Sequence, residues 1–154
     1  MPALKKVLIT GGGGFLGQYL NIEFSKQFEV LSVYHNNSGN AGEYKSVSVD
    51  ITDKDKMKLL FETFRPEVVI HTASVSNNEL AAKMSFQRVI DINVNATEHI
   101  AELSGKYNSR LFYTSTDLVY DGSQGAMLKE TSELNPVSLY AQTKLEGEKR
   151  IKDV

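Results

Sequence analysis

Tyr140 and Lys144, in the segment LYAQTK, stand four residues apart and share one face of any helix that contains them. A phenol, with a reference pKa of about 10, is a poor acid or base at neutral pH; an ammonium one turn away favours its ionised form. The pair is a candidate proton donor with its own electrostatic tuner. Upstream, STDLVYDG (115–122) offers hydroxyls, and that of Thr116 could orient a carbonyl, while Asp117 could add a second polar contact to a substrate. Both also read as ordinary turn residues at a strand end.

The run TGGGGFLGQ (10–18) is the third chemical feature. A P-loop laid over Gly12 to Gly17 fails, because Gln18 and Tyr19 occupy the lysine and Ser/Thr positions. A dinucleotide loop fits in two registers, through Gly12, Gly14 and Gly17 or through Gly11, Gly14 and Gly17. Such glycines let the chain leave its strand, let backbone approach a pyrophosphate, and let helix and strand pack closely. A flexible strand-to-helix turn is the simpler alternative. The acid that ordinarily receives the adenosine ribose is absent: Tyr34, His35, Asn36 and Asn37 stand in its place. Without that carboxylate the site leans toward NADP(H) over NAD(H), although no arginine is there to meet a 2′-phosphate.

These residues need a scaffold, and strand-like and helix-like periods alternate along the chain. KKVLIT (5–10) reads as a buried strand and 15–27 as a helix with Phe15, Leu16, Leu20 and Phe24 on its apolar face. Strands at 28–34 and 45–50 flank a polar loop at 35–43. Thr52 with Asp55 suggests a capping box for a helix that ends at Pro66. A fourth strand spans 67–71, a long helix 84–106, a fifth strand 109–115, and a last helix 138–152. Crossovers of helical length imply an α/β fold: a doubly wound parallel sheet of five strands with helices on both faces. Ligands in such sheets lie beyond the strands' carboxyl ends, which here are Thr10, Tyr34, Asp50, His71 and Ser115.

The chain has 154 residues, 41% of them hydrophobic and 23% charged, the size and composition of one domain with a core. A formal net charge of −2 gives no attraction to nucleic acid or to anionic membranes, so neither is expected as a partner. Without cysteine there is no disulfide or thiolate site, and His35, His71 and His99 are too scattered to suggest a metal. The N-terminal apolar run is too short for a signal peptide or a membrane span, so a soluble, cytoplasmic protein is the expectation.

In combination the segments TGGGGFLG, VDITD, VVIHTAS, INVNAT, FYTSTDLVYDG and NPVSLYAQTKLEGE resemble, in order and spacing, the extended short-chain dehydrogenase/reductases, and within them the dTDP-4-dehydrorhamnose reductase-like group. The resemblance implies a Rossmann-type fold over 1–154 and the register Gly11, Gly14, Gly17, with Phe15 and Leu16 beside them and Tyr34 and His35 at the second strand's end. It implies further that Asp50 and Ile51 flank the adenine and that Thr72, Ala73 and Ser74 line the cofactor cleft. Thr116, Tyr140 and Lys144 would form the catalytic set, with Asn93 tied to a proton relay; a helix residue bonded to nearby backbone is the plainer reading of Asn93. The implied reaction is NAD(P)H-dependent reduction of a 4-keto nucleotide sugar. A dinucleotide-binding regulatory subunit, like that of methionine adenosyltransferase, and a nucleotide-sugar epimerase or dehydratase are the alternatives. Gly12 and Gly13 are left as variable loop positions, and Leu118 departs from the group's tyrosine. Members of this group continue for about another domain beyond the Tyr140 helix. The chain is therefore expected to be the cofactor-binding portion of a longer enzyme, lacking the C-terminal substrate domain and turnover of its own. An uncovered fifth-strand edge would favour association, as in a homodimer.

Overall fold

Val7, Leu8 and Ile9 are apolar on both faces of one short segment, the signature of a strand in the middle of a parallel sheet. In the computed structural model, which describes residues 5–125 and 127–154, that segment is β1 (Lys6–Thr10). Residues 1–4 of the domain expected over 1–154 lie outside the described residues. The further strands are β2 (Glu29–Tyr34), β3 (Ser46–Ser48), β4 (Val68–His71) and β5 (Arg110–Tyr113). All pairings are parallel and the order is β3-β2-β1-β4-β5. The chain works outward from β1 to β3 and then returns to β4, opening a crevice between β1 and β4 at their carboxyl ends.

Side chains alternate across the sheet and so divide the core in two. Val7, Ile9, Val30 and Ile70 face α1 (Phe15–Phe24), which contributes Leu20 and Phe24. Leu8, Val33 and Val69 face α2 (Lys54–Phe64) and α5 (Ala96–Lys106), packing on Met57, Phe61 and Ile100. The last helix, α6 (Leu139–Lys152), starts on the Ser138 side chain and lies against α5. β5 is an edge strand, and Phe112 is about half exposed on its uncovered face.

Three local expectations change. Phe15 and Leu16 do not join the buried face of α1: Gly17 and Asn21, one turn apart, make the closest approach to the sheet, which turns the two apolar residues outward. The cap of α2 is Asp53, whose side chain accepts from the Lys56 amide; Thr52 instead donates both its amide and its hydroxyl to Asp50. The long helix is interrupted. A short α3 (Asn78–Ala82) precedes α4 (Phe86–Ile90), then one π-helical turn covers Asp91–Asn95 before α5. The Asn93 side chain explains the widened turn, since it pairs with the Val75 backbone through Oδ1 (2.8 Å) and Nδ2 (3.1 Å) and fastens the helix to the segment after β4.

Candidate functional site

The carboxyl ends of all five strands open into one cavity of about 580 Å³. Its wall includes Gly11, Gly14, Phe15, Leu16, Gly17, Tyr34, His35, Asp50, Ile51, Thr72, Ala73, Ser74, Tyr140 and Lys144, so residues spread over most of the chain meet there. Thr116, Asp117 and Asn93 are not on that wall.

In its middle, beyond the central strand β1, lies the start of α1. Gly14 is its N-cap, no side chain caps it, and no acid occupies the first turn. Among the described residues the amides of Phe15, Leu16 and Gly17 have no acceptor, and all three residues line the cavity with the positive end of a ten-residue helix. A Cβ on Gly14 would meet only the Gly11 carbonyl, at 3.1 Å, so the protein itself leaves room there. An uncapped helix start beside such a glycine fits a pyrophosphate.

The neighbouring glycines serve the fold. Gly11 has φ +74°, and a Cβ on Gly17 would lie 2.1 Å from the Gly11 carbonyl oxygen. Gly13 is not a free position, contrary to expectation: a Cβ there would fall 1.8 Å from the Asn37 carbonyl oxygen, whereas at Gly12 it would meet chiefly Ser32 Oγ, a side-chain tip that can turn away. The loop is also clasped from behind. Asn21 Nδ2 donates to the Gly12 carbonyl (3.0 Å) and to Asn40 Oδ1 (3.0 Å), and Asn40 donates to the backbone and side chain of Gln18. A fully buried asparagine in α1 was a legible signal that the sequence reading passed over.

Asp50, after β3, is held by a residue that sequence reasoning missed. Arg88, on α4, donates Nη2 to Asp50 Oδ2 (2.5 Å) and Nη1 to Thr52 Oγ1 (3.1 Å), and it lines the cavity. Burial alone would raise the Asp50 carboxyl, but the Thr52 amide, the Arg88 guanidinium and the Thr52 hydroxyl outweigh it and hold the group at about 2. His35 Nε2 lies 3.8 Å from the same carboxylate, so the strand end without an acid of its own has one beside it, already neutralised by Arg88.

On the β5 side α6 presents Tyr140 and Lys144. Lys144 is 2% exposed, and desolvation pushes its ammonium down to about 8 although Glu148 opposes the shift. Ser115, also on the wall, donates its hydroxyl to Glu148. Behind Lys144 lies a buried polar chain. Thr97 donates to the Asn93 carbonyl (2.9 Å), so His71 Nε2 carries its proton and donates to Thr97 Oγ1 (2.9 Å). Nδ1 is then an acceptor for Thr10 Oγ1 (2.6 Å), which in turn receives the Ala73 amide (3.4 Å). Burial first, and the Lys144 charge second, push His71 down to about 3.

Thr116 caps the 3-10 turn Asp117–Val119, accepting from the Leu118 amide (3.2 Å), and its hydroxyl is 3.4 Å from Asp117 Oδ1. Asn93, buried, spends its remaining donor on Thr143 Oγ1 of α6 (3.0 Å). Among the described residues no cluster of His, Asp or Glu could hold a metal, and no helix is long and apolar enough to cross a membrane.

Strand order, helix placement and glycine loop together define a Rossmann-type doubly wound α/β domain. The chain belongs to the RmlD substrate binding domain family, whose family model matches residues 5–154. It is 30% identical over 148 residues to dTDP-4-dehydrorhamnose reductase of Aggregatibacter actinomycetemcomitans, covering 95% of this chain and 46% of the relative. It is also 32% identical over 149 residues to methionine adenosyltransferase 2 subunit beta of Xenopus tropicalis, covering 96% and 42%. A crystal structure of a hypothetical dTDP-4-dehydrorhamnose reductase from Sulfolobus tokodaii superposes with a TM-score of 0.85 at 30% identity, over 94% of this chain and 51% of that one. The chain thus spans about half the length of the relatives it matches.

Proposed function

We propose that this chain is the dinucleotide-binding half of a reductase that acts on the 4-keto group of a nucleotide sugar. One observation carries the reading: the uncapped α1 start and the Tyr140–Lys144 pair line a single cavity. The α1 amides would hold the pyrophosphate, Asp50 and Ile51 the adenine, and Thr72 to Ser74 the middle of the cleft. A bound nicotinamide supplies the hydride. Tyr140 donates the proton to the carbonyl oxygen, Lys144 holds positive charge beside the phenol, and Thr116 orients the substrate from the β5 end. Asn93 acts one layer behind, locking the helix that carries Thr97 against α6.

Incubating the longer protein that carries this half with dTDP-4-dehydrorhamnose and NADPH, and following loss of the reduced nicotinamide, tests the reading; absence of turnover with both NADPH and NADH overturns it. Tyr140→Phe should lower kcat by roughly 10²- to 10⁴-fold and leave NADPH affinity nearly unchanged.

The cofactor reading favours NADPH, because Arg88 cancels the carboxylate nearest the β2 end. Arg88→Ala frees that charge 3.8 Å from His35 and should shift the NADPH/NADH affinity ratio about tenfold toward NADH, less at high salt. Parallel fluorescence titrations read the ratio.

A second reading, a dinucleotide-binding regulatory subunit, draws on the 32% identity to methionine adenosyltransferase 2 subunit beta and on Thr116 serving as a turn cap. It wins if Tyr140→Phe leaves biological activity intact and Gly14→Val abolishes it.

A further inference from the structure

Lys144 is a buried cation without an anionic partner. Among the described residues no hydrogen bond or ion pair reaches its ammonium, which instead lies 3.9 Å from the centroid of the Tyr113 ring. Tyr113 is the last residue of β5, and neither the motif reading nor the proposed reaction uses it.

We infer that Tyr113 is a positioning residue whose ring face holds the Lys144 ammonium at the floor of the cavity, leaving its N–H donors free for a ligand. The packing is built for this contact. A Cβ at Gly147, one turn beyond Lys144 on α6, would lie 2.6 Å from Tyr113 Oη and 3.1 Å from the Asn93 carbonyl oxygen, so the glycine lets α6 pack closely over the tyrosine. The His71 ring backs the same tyrosine at 5.6 Å between centroids. Among the described residues the buried Tyr113 hydroxyl completes no well-aligned hydrogen bond, though Thr97 is within its reach, and the contact to Lys144 runs through the ring face. A desolvated ammonium over an aromatic face is stabilised by the ring quadrupole without giving up its donors, as it would in an ion pair.

The other titratable groups around Lys144 do not replace the ring. His71 on β4 is held neutral, Tyr140 is on the same helix, and the Glu148 carboxylate, which favours the charged lysine, receives the Ser115 hydroxyl.

The contact can be tested without cofactor, so its outcome is separate from that of the reductase reading. The Lys144 ammonium is titrated by NMR in protein carrying isotope-labelled lysine, assigned with Lys144→Met. Tyr113→Phe should keep the midpoint near that of the parent. Replacing Tyr113 with progressively fluorinated phenylalanines, which keep the shape and drain the ring face, should lower the midpoint stepwise, by about one pH unit over the series. Tyr113→Leu should lower it as far. A midpoint that ignores fluorination, or one that Tyr113→Phe moves as much as Tyr113→Leu, overturns the inference. If Tyr113→Leu does not fold, the fluorinated series decides alone.

Discussion

Gly17→Ala is expected to abolish stable folding, whereas Gly14→Ala, three residues earlier in the same loop, should fold and weaken the proposed dinucleotide binding. The contrast follows from what each added methyl meets. At Gly17 the methyl carbon would lie 2.1 Å from the Gly11 carbonyl oxygen, 2.7 Å from the Gly12 Cα and 2.8 Å from the Gly11 carbonyl carbon, all backbone atoms. Those atoms cannot swing aside as a side chain could. Gly11 is already at positive φ, packed on Thr72 and Ala73, and the next residue is tied to Val33 by its amide and to Asn21 by its carbonyl. Relief requires lifting α1 off β1, at about 3 kcal/mol or more, a large share of the roughly 5–15 kcal/mol that a domain commands. At Gly14 the only protein atom in the way is the Gly11 carbonyl oxygen at 3.1 Å, which a shift of a few tenths of an ångström relieves. The methyl would then occupy the space beside the free amides of α1, where the proposed pyrophosphate lies. Circular dichroism melts should show Gly14→Ala close to the parent and Gly17→Ala unfolded or nearly so. Titration with NADPH should show Gly14→Ala weaker by about 10- to 100-fold. Parent-like binding by Gly14→Ala would remove the phosphate role from this glycine.

Much of this arrangement was legible because it is local. Strand-helix alternation, the strand ends and the i, i+4 pairing of Tyr140 with Lys144 depend on neighbours within a few residues, and the parallel sheet follows from crossover length. The parts that were not legible depend on distant partners. Gly13 is fixed by the Asn37 backbone in the loop after β2. Arg88 reaches Asp50 across 38 residues of sequence, and nothing in its own neighbourhood marks it as part of the site. The π turn likewise answers to a pairing between Asn93 and Val75, 18 residues apart, which no helical periodicity registers. The misread α2 cap is a different failure: Thr52 and Asp53 are both good caps, and Asp50, by taking both donors of Thr52, leaves the cap to Asp53. The family resemblance supplied roles for Thr116 and Asn93, yet their side chains are engaged in holding a turn and a helix junction, so the roles proposed for them rest on chemistry at the site's edge.

His71 should make the fold lose stability on mild acidification, and the polar chain behind Lys144 explains why. In that chain the imidazole donates through Nε2 to Thr97 and accepts at Nδ1 from Thr10, so every proton has a place only while the ring is neutral. A second proton on Nδ1 would face a hydroxyl that already points its own hydrogen there, in a site with no water-exposed surface and with the Lys144 charge close by. The folded pKa of about 3 lies below the value of about 6.5 expected for an unfolded chain. Between those values the unfolded state binds the proton that the native state refuses. The contribution of a neutral His71 is therefore complete above pH 6.5 and is lost as pH falls toward 3, by ~2 kcal/mol between pH 7 and pH 5. Urea denaturation at the two pH values reads this directly. His71→Gln, which can present one donor and one acceptor to the same threonines, should be less stable than the parent at pH 7 but change by much less on going to pH 5. His35 and His99 remain in both proteins and cancel from the comparison, and the window stays above the pH at which Asp50, held at about 2, begins to protonate. Equal pH dependence in parent and variant would mean that the imidazole accepts its proton in the folded state, and the threonine chain would then have to be reassigned.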